Sequence, residues 1–105
     1  ALLKRNIKNE ANTRIIIENI DIDKQKHQLI FKGEEVHLAR KEFNLLYLLM
    51  SIPGKVFTRE DIIHEVWKDA YVGDRTIDVH VRRIREKLES KYIKTIKGVG
   101  YKFSI

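Results

Sequence analysis

The chain contains no cysteine, which excludes a disulfide framework and leaves thiolate metal sites and thiol redox chemistry without ligands. A reducing, intracellular compartment is compatible with that absence. The chain also lacks a long hydrophobic run. The most extended one, "FNLLYLLMSI", spans ten residues and carries the polar Asn44, well short of the roughly 20 apolar residues a membrane-spanning helix needs. It reads as a core helix, and no membrane partner is expected. The opening "ALLKRN" has neither the sustained apolar stretch nor the small-residue cleavage site of a secretory signal.

Catalytic and metal-binding patterns are missing too. The histidines His27, His37, His64 and His80 show no ligand spacing, and "HEVW" at His64 lacks the second histidine of a zinc-protease helix. The acidic pairs Glu34-Glu35 and Glu60-Asp61 fall at a turn and at a helix start, where solvation or the helix dipole accounts for them. "GVG", Gly98 to Gly100, is followed by a strand, so it offers no helix N-terminus to a phosphate. No nucleophile and base are paired. The expectation is a protein that is not an enzyme and holds neither cofactor nor metal.

What is present fits one folded domain. The 105 residues are 43% hydrophobic and 34% charged, with the charges interspersed, enough for a single core and unlike a disordered chain. The net charge of +6 is local: residues 75–105 hold nine of the 21 Lys and Arg but only three of the 15 Asp and Glu. Charge gathered on one helix and the segment after it suggests an electrostatic footprint for an anionic partner.

Residues 1–13 carry no repeating apolar face and read as a linker, so the domain is expected over 14–105. Apolar clusters at Ile15 to Ile17 and at Ile20 with Ile22 precede "HQLIFKGEEVHL", which alternates around a turn at Lys32-Gly33. Period two on either side of a glycine-containing turn predicts an antiparallel sheet with one buried face. From Arg40 to about Ser51, Phe43, Leu46, Tyr47 and Met50 follow helical spacing, widened by Leu45, Leu48 and Leu49, until Pro53-Gly54 ends the helix. "KVFT" reads as extended. Thr58 and Asp61 form a capping box for a second helix with a core stripe of Ile62, Ile63, Val66 and Trp67. Asp74 is the expected N-cap of a third helix, running to about Ser90. "YIKTIKGVGYKFSI" predicts a second hairpin with its tip or a bulge at Gly98 and Gly100, Thr95 and Lys97 on one face and Tyr101 and Phe103 on another.

The third helix, "RTIDVHVRRIREKL", has five cations in fourteen residues. At about 100° per residue, Ile77, Val81, Ile84 and Leu88 fall in a stripe about 60° wide that must face the core. Opposite lie Arg75, Val79, Arg83 and Glu86, flanked by Thr76, His80 and Lys87. On the other edge Asp78 to Arg82 and Arg85 to Glu89 are spaced as i,i+4 pairs of opposite charge. One edge is expected to neutralise itself and the other to leave its cations largely unpaired. Arginine forks and an exposed apolar side chain suit a duplex groove, where guanine O6 and N7 and the thymine methyl are the targets.

Taken in order, "EFNLLYLLMSIPGKVFTREDIIHEVW", "DRTIDVHVRRIREKLE" and "IKTIKGVGYKF" closely resemble the DNA-binding effector domain of OmpR/PhoB-type two-component response regulators, over about residues 15–105. The resemblance implies an α+β winged helix-turn-helix: an N-terminal four-stranded antiparallel sheet, three helices and a C-terminal β-hairpin wing. "ALLKR" looks like the closing turn of a preceding phosphoacceptor receiver domain. The resemblance further implies a cytoplasmic transcription regulator in a phosphorelay from a sensor histidine kinase, bound as a dimer to direct-repeat sites on double-stranded DNA.

By position, Arg83, Val79 and Lys87 match residues at major-groove base edges, and Arg75, Thr76, His80, Arg82 and Trp67 match phosphate contacts. Thr95 and Lys97 match wing positions at the minor groove. Asp69, Ala70, Tyr71, Val72 and Gly73 match the loop through which relatives contact RNA polymerase. Two departures stand out: Ala39 replaces the usual threonine before the first helix, and Lys97 replaces an arginine, losing the planar fork. A second reading stays open, a winged-helix module that binds an acidic protein partner through the same helix, because fold does not fix function.

Overall fold

Two-residue turns shape the N-terminal sheet. A computed structural model describes residues 13–68 and 72–104, and the chain divides into two compact units, the first ending at His37 and the second beginning at Leu38. In the first unit, strands β1 (Arg14–Ile17), β2 (Ile20–Asp23), β3 (Gln28–Phe31) and β4 (Glu34–Glu35) pair antiparallel in the order β1-β2-β3-β4. Ile17 opposes Ile20 and Phe31 opposes Glu34. Lys32 and Gly33 both have positive φ, 53° and 84°, the backbone that lets a two-residue turn follow the twist of its strands. Ile20, Ile22 and Leu29 are buried in strict alternation along β2 and β3, as period two requires. The expected alternation on either side of the turn is shorter in the structure: His27 is a turn residue with φ 51° and β4 ends at Glu35. Of the expected linker, residues 1–12 lie outside the described residues, while the Thr13 carbonyl accepts the Lys24 N–H at 2.7 Å.

The second unit holds helices α1 (Arg40–Ser51), α2 (Arg59–Val66) and α3 (Asp74–Lys87), with strands β5 (Phe57–Thr58), β6 (Ile93–Ile96) and β7 (Gly100–Phe103). Phe43, Leu45, Leu46, Leu49 and Met50 of α1 are all buried, so the helix is covered on most sides, as its broad apolar stripe predicts. Thr58 accepts the Asp61 N–H at 3.0 Å while Asp61 accepts the Thr58 N–H at 3.1 Å, the reciprocal box read from the sequence. Ala39 offers α1 no side-chain acceptor.

Two features differ from the sequence reading. Gly73, not Asp74, is the N-cap of α3; glycine at that position lacks a capping side chain but costs little against the better caps. The helix ends at Lys87 rather than near Ser90, because the chain must turn through Ser90–Tyr92 to bury both Tyr92 and Ile93. The "KVFT" piece is extended, as read, and forms a strand. Its β5 joins the hairpin in a three-stranded sheet ordered β5-β7-β6. This strand crosses so closely that a Cβ on Gly100 would lie 1.9 Å from the Phe57 carbonyl oxygen, so only glycine fits there.

Candidate nucleic-acid interface

Ile77, Val81 and Ile84 are at most 1% exposed and Leu88 is 8% exposed, so the apolar stripe locks one side of α3 into the core as predicted. The side away from it is solvent-facing. Arg75, Val79, Arg82, Arg83, Glu86 and Lys87 are exposed, with Thr76 and His80 half-buried beside them. Trp67, at the C-terminus of α2, is half-buried rather than core and meets the His80 ring edge-on with centroids 5.1 Å apart. Its contact brings the end of α2 to the middle of α3. The Nδ1 of His80 lies 2.6 Å from the Thr76 carbonyl oxygen; a carbonyl only accepts, so Nδ1 carries the ring proton.

The two edges of α3 are not paired as the spacing suggests. Asp78 turns from Arg82 to other elements: it accepts from the Tyr101 hydroxyl and lies 3.6 Å from Arg59 of α2. Arg85 turns from Glu89 to the wing, its Nε and Nη2 donating to the Ile93 carbonyl at 3.1 and 2.8 Å and its Nη2 to Thr95 Oγ1 at 2.8 Å. For Arg85 the tertiary partner outcompetes the i,i+4 neighbour because a half-buried carbonyl needs a donor, whereas Glu89 has Lys91 at 3.8 Å. The edge expected to be largely unpaired holds a shared acid instead. Arg83 Nη1 and Lys87 Nζ lie 3.7 and 3.8 Å from the two carboxylate oxygens of Glu42, which is only 2% exposed. Arg75 and Arg82 have no ion pair or hydrogen bond among the described residues.

In the hairpin, Thr95 opposes Tyr101 and Ile93 opposes Phe103, and residues directly opposed in an antiparallel pair share a face. Thr95 therefore lies on the Tyr101 face, not on a separate one as the period alone suggests. Tyr101 and Phe103 are buried and Thr95 is exposed beside Arg85. Lys97 belongs to the turn, where Gly98 has φ 77° and the Val99 N–H closes onto the Ile96 carbonyl at 2.9 Å. Lys97 and Val99 are both exposed at this tip.

Of the loop expected to meet RNA polymerase, Asp69, Ala70 and Tyr71 lie outside the described residues; Val72 is half-buried and Gly73 exposed. Sequence reasoning missed Glu42. A signal was present: Leu45, Leu46 and Leu49 follow it at i+3, i+4 and i+7, which puts a carboxylate on the buried stripe. The Asp78 and Arg85 links depend on residues distant in the chain and leave no such local mark. Among the described residues, no helix is long and apolar enough to cross a membrane.

Residues 33–103 match the family described as "Transcriptional regulatory protein, C terminal". The transcriptional regulatory protein ResD of Bacillus subtilis is 43% identical over 98 residues, which take in 87% of this chain and 41% of ResD. The chain spans less than half the length of such relatives. Among solved structures, the response regulator DrrB of Thermotoga maritima, an OmpR/PhoB homologue, superposes with a TM-score of 0.82 at 35% identity, covering 98% of this chain and 49% of DrrB. The DNA-binding domain of RstA from Klebsiella pneumoniae, solved in complex with the RstA box, gives 0.79 at 30% identity, covering 87% of this chain and 96% of that domain. Family match, sequence kinship and shared winged-helix architecture together make this chain a member of the C-terminal effector-domain family of OmpR/PhoB-type response regulators.

Proposed function

We propose that the chain is the DNA-binding output domain of a two-component response regulator, a sequence-specific reader of double-stranded DNA that regulates transcription in the cytoplasm. The observation that carries this reading is α3 itself: Arg75, Arg82, Arg83 and Lys87 all stand exposed on a helix whose other side is held by Ile77, Val81 and Ile84. Such a helix meets an anionic groove without unpacking its own core. The solved RstA domain, with its RstA box, supports the same use of the fold.

In this reading Arg83, Val79 and Lys87 face base edges in the major groove. Arg75, Thr76, Arg82 and Trp67 position the helix through phosphates, and Thr95 and Lys97 bring the wing to the minor groove. His80 joins the phosphate contacts under one condition. Its Nδ1 proton is committed to Thr76 and a phosphate oxygen only accepts, so Nε2 reaches a phosphate as a donor only in the imidazolium form. Residues 69–73 would meet RNA polymerase. A receiver domain ahead of this chain would take the signal from a sensor histidine kinase and pair two copies on direct-repeat sites.

The test is binding to duplex DNA across a range of salt. With about five phosphates neutralised, log K against log salt falls with a slope of about −4 to −5. A duplex selected from a random pool binds tighter than the unselected pool, and Arg83→Ala costs about 1 to 3 kcal/mol on the selected duplex and far less on the pool. A flat slope would point instead to an acidic protein partner for α3.

A further inference from the structure

The two cations assigned to the bases, Arg83 and Lys87, share one counter-charge that comes from a different helix. Glu42 sits in the first turn of α1, 2% exposed, with Oε2 3.7 Å from Arg83 Nη1 and Oε1 3.8 Å from Lys87 Nζ. Its Oε1 also accepts the Ala39 backbone N–H at 3.2 Å. A carboxylate so far out of water is costly unless donors and cations surround it, which accounts for all three partners. Both cation distances exceed hydrogen-bonding range. The guanidinium and the ammonium are therefore drawn to the carboxylate by charge while 59% and 43% of their side-chain surface remains exposed.

We infer that Glu42 is a specificity-determining positioning residue: its buried carboxylate holds Arg83 and Lys87 side by side over α3 and offsets part of their charge before DNA arrives. Two consequences follow for recognition. Holding the long side chains in one region lowers the ordering cost of a forked base contact, since less freedom is lost on binding. Offsetting their charge weakens attraction to phosphates of any sequence, which raises the contrast between the right duplex and all others. Glu42 itself touches no nucleic acid in this scheme, and it acts through the two side chains it holds. The inference rests on the reading of α3 as a base-reading helix, and the test separates the two.

The experiment uses the 105-residue chain with a duplex selected from a random pool by the wild-type chain and an unselected pool of the same length. Wild type, Glu42→Gln, Arg83→Ala and the double variant are titrated against both at several salt concentrations. Gln keeps the shape of Glu and an oxygen for the Ala39 N–H, so it removes chiefly the charge. Glu42→Gln is expected to bind the pool more tightly, to steepen its salt slope by about 1, and to lower the selected-to-pool affinity ratio about tenfold. In the Arg83→Ala background the same change should move the ratio far less. An unchanged ratio in Glu42→Gln, with Arg83→Ala still lowering it, overturns the positioning role and leaves the base-reading helix intact. If Arg83→Ala weakens both duplexes equally, the base reading fails and this inference with it. Should Glu42→Gln not fold, Glu42→Asp draws the charge back by one methylene and is expected to lower the ratio several-fold; no change there overturns the inference equally.

Discussion

The Tyr101 hydroxyl donates a hydrogen bond to the Asp78 carboxylate, joining the last strand of the wing to the first half of α3. Arg59 of α2 approaches the same carboxylate at 3.6 Å and lays its guanidinium over the Tyr101 ring, 5.9 Å from the centroid. One acid thus joins both helices of the helix-turn-helix to the wing. Tyr101→Phe removes one of these links and leaves Arg59 in place. With the Asp78 side chain 48% exposed, the loss is expected at about 1 kcal/mol in urea denaturation, whereas Asp78→Ala, which releases both partners, should cost more.

That hydrogen bond also sets an alkaline limit. Burial, and then the bond to the Asp78 carboxylate, push the Tyr101 hydroxyl up from 10.0 to about 12. The folded chain therefore keeps this proton at pH values where the unfolded chain has released it. By linkage, the stability tied to Tyr101 is full below pH 10.0 and is lost as pH rises through about 12. Denaturation series across that window should show falling stability in the wild type and a shallower fall in Tyr101→Phe. Equal slopes for the two would remove Tyr101 from the explanation.

Arg85 ties the wing to the far half of α3. Its three donor contacts end on the Ile93 carbonyl and Thr95 Oγ1, so Arg85→Met keeps much of the apolar stem and strips the donors. Expected is a loss of about 1 to 3 kcal/mol, since a half-buried carbonyl is left wanting, together with faster hydrogen exchange at the amides of β6. Exchange unchanged in β6 would mean that the wing is held by packing alone.

Gly100→Ala tests the crossing of β5 over β7. The added Cβ would fall 1.9 Å from the Phe57 carbonyl oxygen and 2.8 Å from its carbon, both backbone atoms that cannot rotate aside. The two strands must separate, at an expected cost of about 3 kcal/mol, read as a lower midpoint in thermal denaturation. Gly98→Ala, at the tip with nothing within 4 Å, meets no such wall; its cost is confined to the positive φ of 77°, about 1 kcal/mol.

Periodicity revealed what depends on one face of one element. The α3 stripe of Ile77, Val81, Ile84 and Leu88, the wide burial of α1 and the Thr58-Asp61 box were all legible, because each is a local pattern read against a fixed repeat. Charge partners were not. Asp78 and Arg85 each had an acceptable neighbour at i±4, yet bind Tyr101, Arg59 and Ile93, whose proximity only the tertiary fold creates. The wing showed a third kind of failure. Period two correctly separated alternate residues within a strand, but which residues of two strands share a face depends on register, and the register set Thr95 against Tyr101.

Ala39 offers the last test, because the box around α1 is half built. Glu42 at N3 already receives the Ala39 N–H at 3.2 Å, and Ala39 has φ −62° and ψ 156°, the extended backbone of an N-cap. Only a side-chain oxygen at position 39 is missing. Ala39→Ser supplies it, accepting the Glu42 backbone N–H and completing the reciprocal pair, with an expected gain of about 1 kcal/mol in stability. Ala39→Val adds no acceptor and should not reproduce the gain. Because the bond between Glu42 and the residue 39 N–H is retained, Ala39→Ser should raise the denaturation midpoint while leaving the ratio of selected to unselected duplex affinity unchanged. A change in that ratio would show that the cap and the hold on Arg83 and Lys87 are coupled.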